Sequence, residues 1–444
     1  MTRQGSGAGE DPRGGFRPAS LDAVNFLLAD VRGALGPYLN VFLVTQQHWS
    51  QAEVGLVTAL AGWLGLAAQT PIGAAIDATH RKRGAIVLAL AVLAAGALCI
   101  YVVPRFWPVL VANTLIAVVG DVFGPAVAAL TLGLVPRREL ARRMGRNAAF
   151  DHAGNVAVAA AAGAVGWLFS QRAVFLLVPV FALLSATAVL SIPAAAIDQR
   201  RARGAAEDED EDAKDEDAKD KGNADGRGAD GPVSGVRILV ECRPLLVFGV
   251  CALLFHFANA PLLPLVGQKL AVAHAAWATA MMSSCIIAAQ LVMLPIAVLV
   301  GRTADRWGRK PLLLAGFAIL PLRAALYTLS DDSAWLIGVQ LLDGIGAGLF
   351  GALTPLVVAD LMRGTGRYNL ALGAVATMQG IGASTSGLVA GVIVDRLGYT
   401  AAFLACGTAA LAALAALLLG MPETAPAVPA VAPAVPQEEP GPAE

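Results

Sequence analysis

Long apolar runs separated by short polar breaks set the pattern of this chain. They lie at about 21–44, 52–76, 84–103, 107–135, 147–170 and 173–195 in the first half. In the second they lie at about 245–270, 277–301, 311–329, 335–361, 369–394 and 399–420. Each is long enough to cross a hydrocarbon core about 30 Å thick. Backbone groups in lipid have no water to bond, so each run is predicted to be a helix despite its frequent glycines. The expected fold is all-α integral membrane, with twelve transmembrane helices. The first run is interrupted by Asp30, Arg32, Gly33, Gly36 and Pro37.

The charges left between the runs set an expected orientation. Alternate connections carry Arg81, Lys82, Arg83, Arg137, Arg138, Arg142, Arg143, Arg146, Arg302, Arg306, Arg309, Lys310, Arg363 and Arg367. The others carry only Arg105, Arg172, Lys269 and Arg396. Basic residues concentrate on the cytoplasmic side of membrane proteins, so both termini are expected in the cytoplasm.

One connection, Gly301 to Pro311, reads GRTADRWGRKP. A degenerate copy runs from Gly73 through Asp77 to Arg81 and Lys82, and the offset between Gly73 and Gly301 is 228 positions. The same offset aligns Trp49 with Trp277, Trp107 with Trp335, Gly163 with Gly391 and Phe175 with Phe403. Only seven tryptophans are present, so two coincident pairs point to an internal repeat. The pattern Gly-x-x-x-Asp-Arg-x-Gly-Arg-Lys resembles the signature loop of the major facilitator superfamily of membrane transporters. That resemblance covers residues 19–422. It implies two six-helix bundles related by pseudo-two-fold symmetry, residues 19–198 and 244–422. It also implies a cytoplasmic gate formed by Gly73, Asp77, Arg81, Lys82, Gly301, Asp305, Arg306, Gly308, Arg309 and Lys310. In the family this cluster latches the bundles together and breaks when the transporter opens inward. Ala78 and His80 depart from the pattern, so the second copy is expected to be the stronger latch. Gly301 is expected where helices approach and Gly308 at a turn with φ > 0.

Composition narrows the class. The chain has 444 residues, 57% of them hydrophobic and 15% charged, too apolar for a soluble enzyme. Its five cysteines lack metal spacing, and no nucleophile–base pair or metal cluster recurs on the connections. No enzyme activity, cofactor, metal or nucleic-acid partner is expected. Residues 1–18 read as a cytoplasmic tail. Residues 199–243 read as an acidic and Gly-rich linker, whose stretch 207–221 holds ten acids against three lysines. Such a segment has too little apolar surface to fold. Residues 423–444 read as an Ala/Pro-rich disordered tail.

Ionisable residues inside the runs are the candidates for function, because burying them costs free energy without a task or a partner. The resemblance implies a cavity lined by helices 1, 4, 7 and 10. Those helices here carry Asp30 and Arg32, Asp121, His256 and Asn259, and Gln340 and Asp343. Arg323 in helix 9 shares a depth with Asp343, and the two are predicted to pair. Residues i and i+2 point about 200° apart on a helix. Arg32 is therefore expected to pair with Asp121, leaving Asp30 to carry a proton. The expected function is secondary active transport by a monomer in a bacterial-type inner membrane, as proton-coupled efflux (an antiporter) of small organic compounds. A nutrient symporter or uniporter is the alternative, and a non-transporting membrane sensor the second. Helix 5 has no proline between Asn147 and Ser170, which sets the chain apart from drug antiporters of the superfamily.

Overall fold

The computed structural model describes residues 18–29, 36–79, 81–198, 235–363, 365 and 367–425. The terminal tails, most of the linker, and Asp30 to Leu35 lie outside that set. Among the described residues the fold is helical throughout. The first half holds α1 (Pro18–Leu28), α2 (Gly36–Thr45), α3 (Gln51–Ala78), α4 (Lys82–Val102), α5 (Phe106–Leu134), α6 (Arg137–Leu168) and α7 (Leu177–Leu190). The second holds α8 (Gly235–Glu241), α9 (Arg243–Asn259), α10 (Leu262–Ala273), α11 (Ala278–Trp307), α12 (Arg309–Leu326), α13 (Ser333–Leu361) and α14 (Tyr368–Gly420).

Twelve membrane crossings follow from these elements. The pairs α1/α2 and α9/α10 each make one crossing in two pieces. Helix α14 makes two, because Gly398 at φ 83° and ψ 173° breaks it in the middle. By length and apolar composition alone, eight stretches qualify as spans. Helix α6 adds its basic first turns, which are helical from Arg137 onward rather than the loop that the apolar pattern suggests. Helix α11 likewise runs past Gly301 to Trp307, so the signature residues Gly301 to Arg306 are helical. Within the stretch read as linker, residues 235–241 form α8, whose Ile238 and Leu239 are buried in the second core.

Two hydrophobic cores result, one almost wholly from residues 21–197 and one from residues 238–421. Leu88, Trp107, Leu183 and Leu411 point outward, as lipid-facing side chains do. Two seams join the halves, α3 against α14 and α11 against α6. Moved by the repeat offset, α3 falls on α11 and the first arm of α14 on α6, so the seams are one contact made twice. Gly163 and Gly391, aligned by that offset, are both seam glycines. A Cβ on Gly163 would stand 2.8 Å from Ser283 Oγ, and one on Gly391 would strike the Gln51 carbonyl. One end of the molecule carries Lys82, Arg143 and Arg309 and is termed the basic face. The other carries Trp49, Trp107, Trp167, Trp277 and Trp335 and is termed the tryptophan face.

Candidate functional site

Two spaces, one in each half, lie near the middle of the molecule. Asn259 ends α9, and Pro261, with no N–H to donate, lies between it and α10. In the first half α1 ends at Leu28 and α2 begins at Gly36, with residues 30–35 outside the described set. Interrupted helices at equivalent places in two repeats are where transporters bind substrates, because unwound backbone is tolerated there only against a cavity.

The second-half wall is a space of about 260 Å³ lined by His256, Asn259, Phe350, Gly351, Thr354 and Pro355, among others. Phe255 and Phe350 stack with centroids 4.8 Å apart, and the His256 ring packs against Phe350 at 5.0 Å. Behind this wall is a closed ring of hydrogen bonds. Arg323, 1% exposed, forms the predicted ion pair with Asp343 and donates to Asn259 Oδ1 at 2.7 Å and to the Tyr327 hydroxyl at 3.2 Å. The Tyr327 hydroxyl donates to Gln340 Oε1, and Gln340 Nε2 donates to Asp343 Oδ2 at 2.9 Å. The ring ties α9, α12 and α13 together and occupies both oxygens of Asp343. A buried guanidinium needs such partners, since an unpaired charge in lipid costs several kcal/mol; its Nη2 alone is left without a hydrogen bond.

The first-half wall is a space of about 250 Å³ lined by Asn25, Gly124, Thr131, Asn147, Asp151 and His152, among others. Asp121 lies one turn before Gly124, on the same side of α5. It is half-buried, and no hydrogen bond or ion pair reaches its carboxylate among the described residues. Pro125, four residues on, cannot donate to the Asp121 carbonyl, which leaves a second polar group at that level. Asp30 and Arg32 lie outside the described residues, and with them the expected Arg32–Asp121 pair.

Among the described residues the hydrogen bonds between the halves lie at the tryptophan face and the middle of the molecule. Asp395, in α14, accepts the backbone N–H of Gln51 at 3.0 Å and of Ala52 at 2.7 Å, at the start of α3. Gln51 Nε2 donates to the Tyr399 hydroxyl at 3.0 Å. Tyr38 bonds Ser283 at 2.8 Å, and Trp167 stacks on Trp277 with centroids 5.5 Å apart. A Cβ on Gly55 would stand 2.5 Å from the Gly387 carbonyl oxygen. His152 and Gln290, 2.8 Å apart, are the contact nearest the middle of α6. Among the described residues no hydrogen bond joins the halves toward the basic face.

The signature residues fit that state. Among the described residues neither copy bridges the halves. Asp305, 84% exposed, pairs with Arg309 of its own motif at 2.7 Å, and Arg309 also reaches Asp360 at 3.1 Å. The close helix approach expected at Gly301 is not made. Gly308 has the expected positive φ, 86°. Glu423, just past α14, accepts the backbone N–H groups of Arg309 and Lys310 at 2.8 and 3.1 Å. Burial would raise its carboxyl, but the N–H donors of Ala425, Arg309, Lys310 and Thr424 outweigh it and hold Glu423 below the usual glutamate range. Lys310 Nζ binds the Leu418 carbonyl, and in the first copy the buried Lys82 binds the carbonyls of Ile76 and Thr79, closing the end of α3. Arg81 and Arg306 are exposed, and the side chain of Asp77 is outside the described set.

Sequence reasoning missed Asp22, Asp395 and Glu423. Asp22 is buried and holds Arg143 at 2.7 Å and Arg146 at 2.6 Å, tying α1 to α6. Its place two residues inside an apolar run was the available signal. Asp395 and Glu423 sit at helix ends, where a carboxylate is ordinary, and nothing local marked them.

The family model of the Major Facilitator Superfamily matches residues 21–297 and 245–440. The chain belongs to this superfamily. It is therefore a multi-pass membrane transporter and not an enzyme. It is 47% identical over 405 residues to the uncharacterized MFS-type transporter Rv2456c of Mycobacterium tuberculosis, covering 91% of this chain and 93% of the relative. Among solved structures, the nucleoside transporter NupG aligns with a TM-score of 0.65 at 14% identity, covering 90% of this chain and 98% of that one. A D-xylose-proton symporter aligns with a TM-score of 0.66 at 14% identity, covering 92% and 97%. Such likenesses establish the transporter fold.

Proposed function

We propose that this transporter couples proton movement to the export of small organic compounds by alternating access, in a bacterial-type inner membrane with the basic face in the cytoplasm. The observation that carries alternating access is the one-sided bonding of the halves, joined at the tryptophan face and the middle and, among the described residues, by no hydrogen bond toward the basic face. Opening the other way requires the seams to part where they now touch and to meet where no bond now joins them. With basic residues inside, the structure corresponds to the inward-open state. The signature loops are latched outward and released inward in the family reading, and among the described residues neither bridges the halves, in keeping with that state.

Proton coupling takes its support from the contrast between two aspartates. Asp343 has both oxygens engaged by Arg323 and Gln340, whereas Asp121 has no partner among the described residues and lies one turn before Gly124 of the first-half wall. A carrier must exchange its proton as its surroundings alternate, and Asp121 is suited to that, with Asp30 the other candidate. Export takes its support from the Phe255–Phe350 wall, which fits an apolar or aromatic organic molecule better than a charged nutrient. Proton-driven uptake is the second reading, favoured by the fold shared with a D-xylose-proton symporter. Reconstitution into liposomes with an imposed pH gradient tests all of this. Export requires that labelled organic cargo accumulate against an acid interior, and uptake requires the opposite. Flux that ignores the gradient would point to a uniporter, and no flux of any cargo, with or without a gradient, would leave a sensor as the surviving reading. Labelling of a cysteine placed at Gly308 from the outside of intact cells would overturn the orientation.

A further inference from the structure

Besides the two wall spaces, residues of both halves line a third, partly open cavity of about 280 Å³ nearer the tryptophan face. It is walled by α2, α3, α10 and α14 and includes neither Asp121 nor His256. Its polar lining is Asn40, Gln51 and Thr58 from the first half and Gln268, Ser384 and Ser386 from the second; no ionisable side chain lines it. Gln268 is 2% exposed, and its Oε1 is fully buried with no hydrogen-bond partner. Leaving a buried amide unbonded costs stability, and native structures rarely tolerate it without a use. Asn40 and the Ser384 hydroxyl also lack hydrogen-bond partners among the described residues. Gln51 spends its Nε2 on Tyr399, which leaves Oε1 over.

We infer that this cavity is a binding site for a small, neutral, multiply hydroxylated molecule. Carboxamides both donate and accept, as hydroxyl groups do, so three carboxamides and a serine match a polyol edge on several sides. With no charge to compensate it, an ionised ligand would be desolvated at a net loss. Ala260, Pro261, Pro264 and Leu265 supply the apolar faces that such pockets use for shape. The lining comes from both halves, so the site is complete only while the tryptophan face is closed. Its ligand therefore favours the inward-open state. This inference stands apart from the proposed direction and coupling of transport.

Thermal unfolding of the full-length protein in detergent, with myo-inositol, D-glucose and D-mannitol as neutral probes and glucuronate as the charged control, tests the assignment. At least one neutral probe should raise the melting temperature saturably, and glucuronate should not. Gln268→Leu should raise the melting temperature of the ligand-free protein, because it removes an unbonded buried amide. It should also weaken the probe by about tenfold or more, the loss of one to two good hydrogen bonds. Asn40→Ala should weaken it as well, while His256→Ala, in the second-half wall, should keep it. The bound probe should slow labelling of a cysteine at position 58 from the tryptophan face. The inference is overturned if no neutral probe shifts unfolding, if glucuronate acts equally, or if the shift survives in Gln268→Leu.

Discussion

Replacing Asp395 by Ala removes one contact that exists only while the tryptophan face is closed. Its two oxygens accept the N–H groups of Gln51 and Ala52, 3.0 and 2.7 Å away, at the first two positions of α3. The next N–H, of Glu53, is already taken by Ser50, whose capping box is complete within α3. Asp395 thus supplies from the other half the acceptor that α3 lacks. A cap of this kind contributes about 0.5–2 kcal/mol, and a carboxylate at an exposed helix N-terminus about 0.3–1 kcal/mol. Asp395 is solvent-exposed, and water replaces it when the seam opens, so about 1 kcal/mol is the reasonable figure. With tenfold for every 1.4 kcal/mol, the closed-to-open ratio should fall about fivefold. The assay is the rate at which an impermeant maleimide, added on the tryptophan side, labels a cysteine at Thr58 in a chain cleared of its native cysteines. Asp395→Ala should speed labelling about fivefold and Asp395→Asn less, because the amide keeps one acceptor. Gly55→Val serves as the control, since its Cβ would meet the Gly387 carbonyl at 2.5 Å and keep the face open. If Gly55→Val accelerates labelling and Asp395→Ala leaves it unchanged or slows it, Asp395 is not a latch.

Other consequences can be checked separately. Asp121→Asn should abolish pH-driven accumulation in liposomes while leaving exchange without a gradient measurable; the reverse outcome, with loss in Asp30→Asn alone, moves the proton to Asp30. Asp343→Asn should destabilise by about 3–5 kcal/mol, because it strands a buried guanidinium, and pairing it with Arg323→Met should restore much of that in thermal unfolding. No restoration in the double variant would show that the pair is not the main reason either residue matters. The depressed carboxyl of Glu423 adds stability above the ordinary glutamate value of 4.5, and this is lost as pH falls through its folded value. The gap in melting temperature between wild type and Glu423→Gln should accordingly be present at neutral pH and close in acid; a gap independent of pH contradicts the capping role.

Run length and breaks are local properties, and they were enough to set the expected twelve crossings, while the signature motif at Gly301 to Lys310 carried the resemblance to the family. The Arg323–Asp343 pair was legible too, because depth in a membrane is counted along a helix and a buried arginine has few places to turn. The positive φ of Gly308 followed from the motif itself. What only the tertiary structure decided is which segments touch. The acceptor for α3 is Asp395, some 340 residues away, and neither residue looks unusual among its neighbours. Gln268 reads as one polar residue in an apolar stretch, and its unbonded oxygen exists only where α2, α3, α10 and α14 converge. The state was equally hidden. Asp305 and Arg309 lie in one motif whichever face is open, and whether they pair with each other or across the seam depends on how the two bundles lean. That choice is set by contacts such as Gly55 on Gly387 and Trp167 on Trp277, sums over residues far apart in the chain that no single stretch contains.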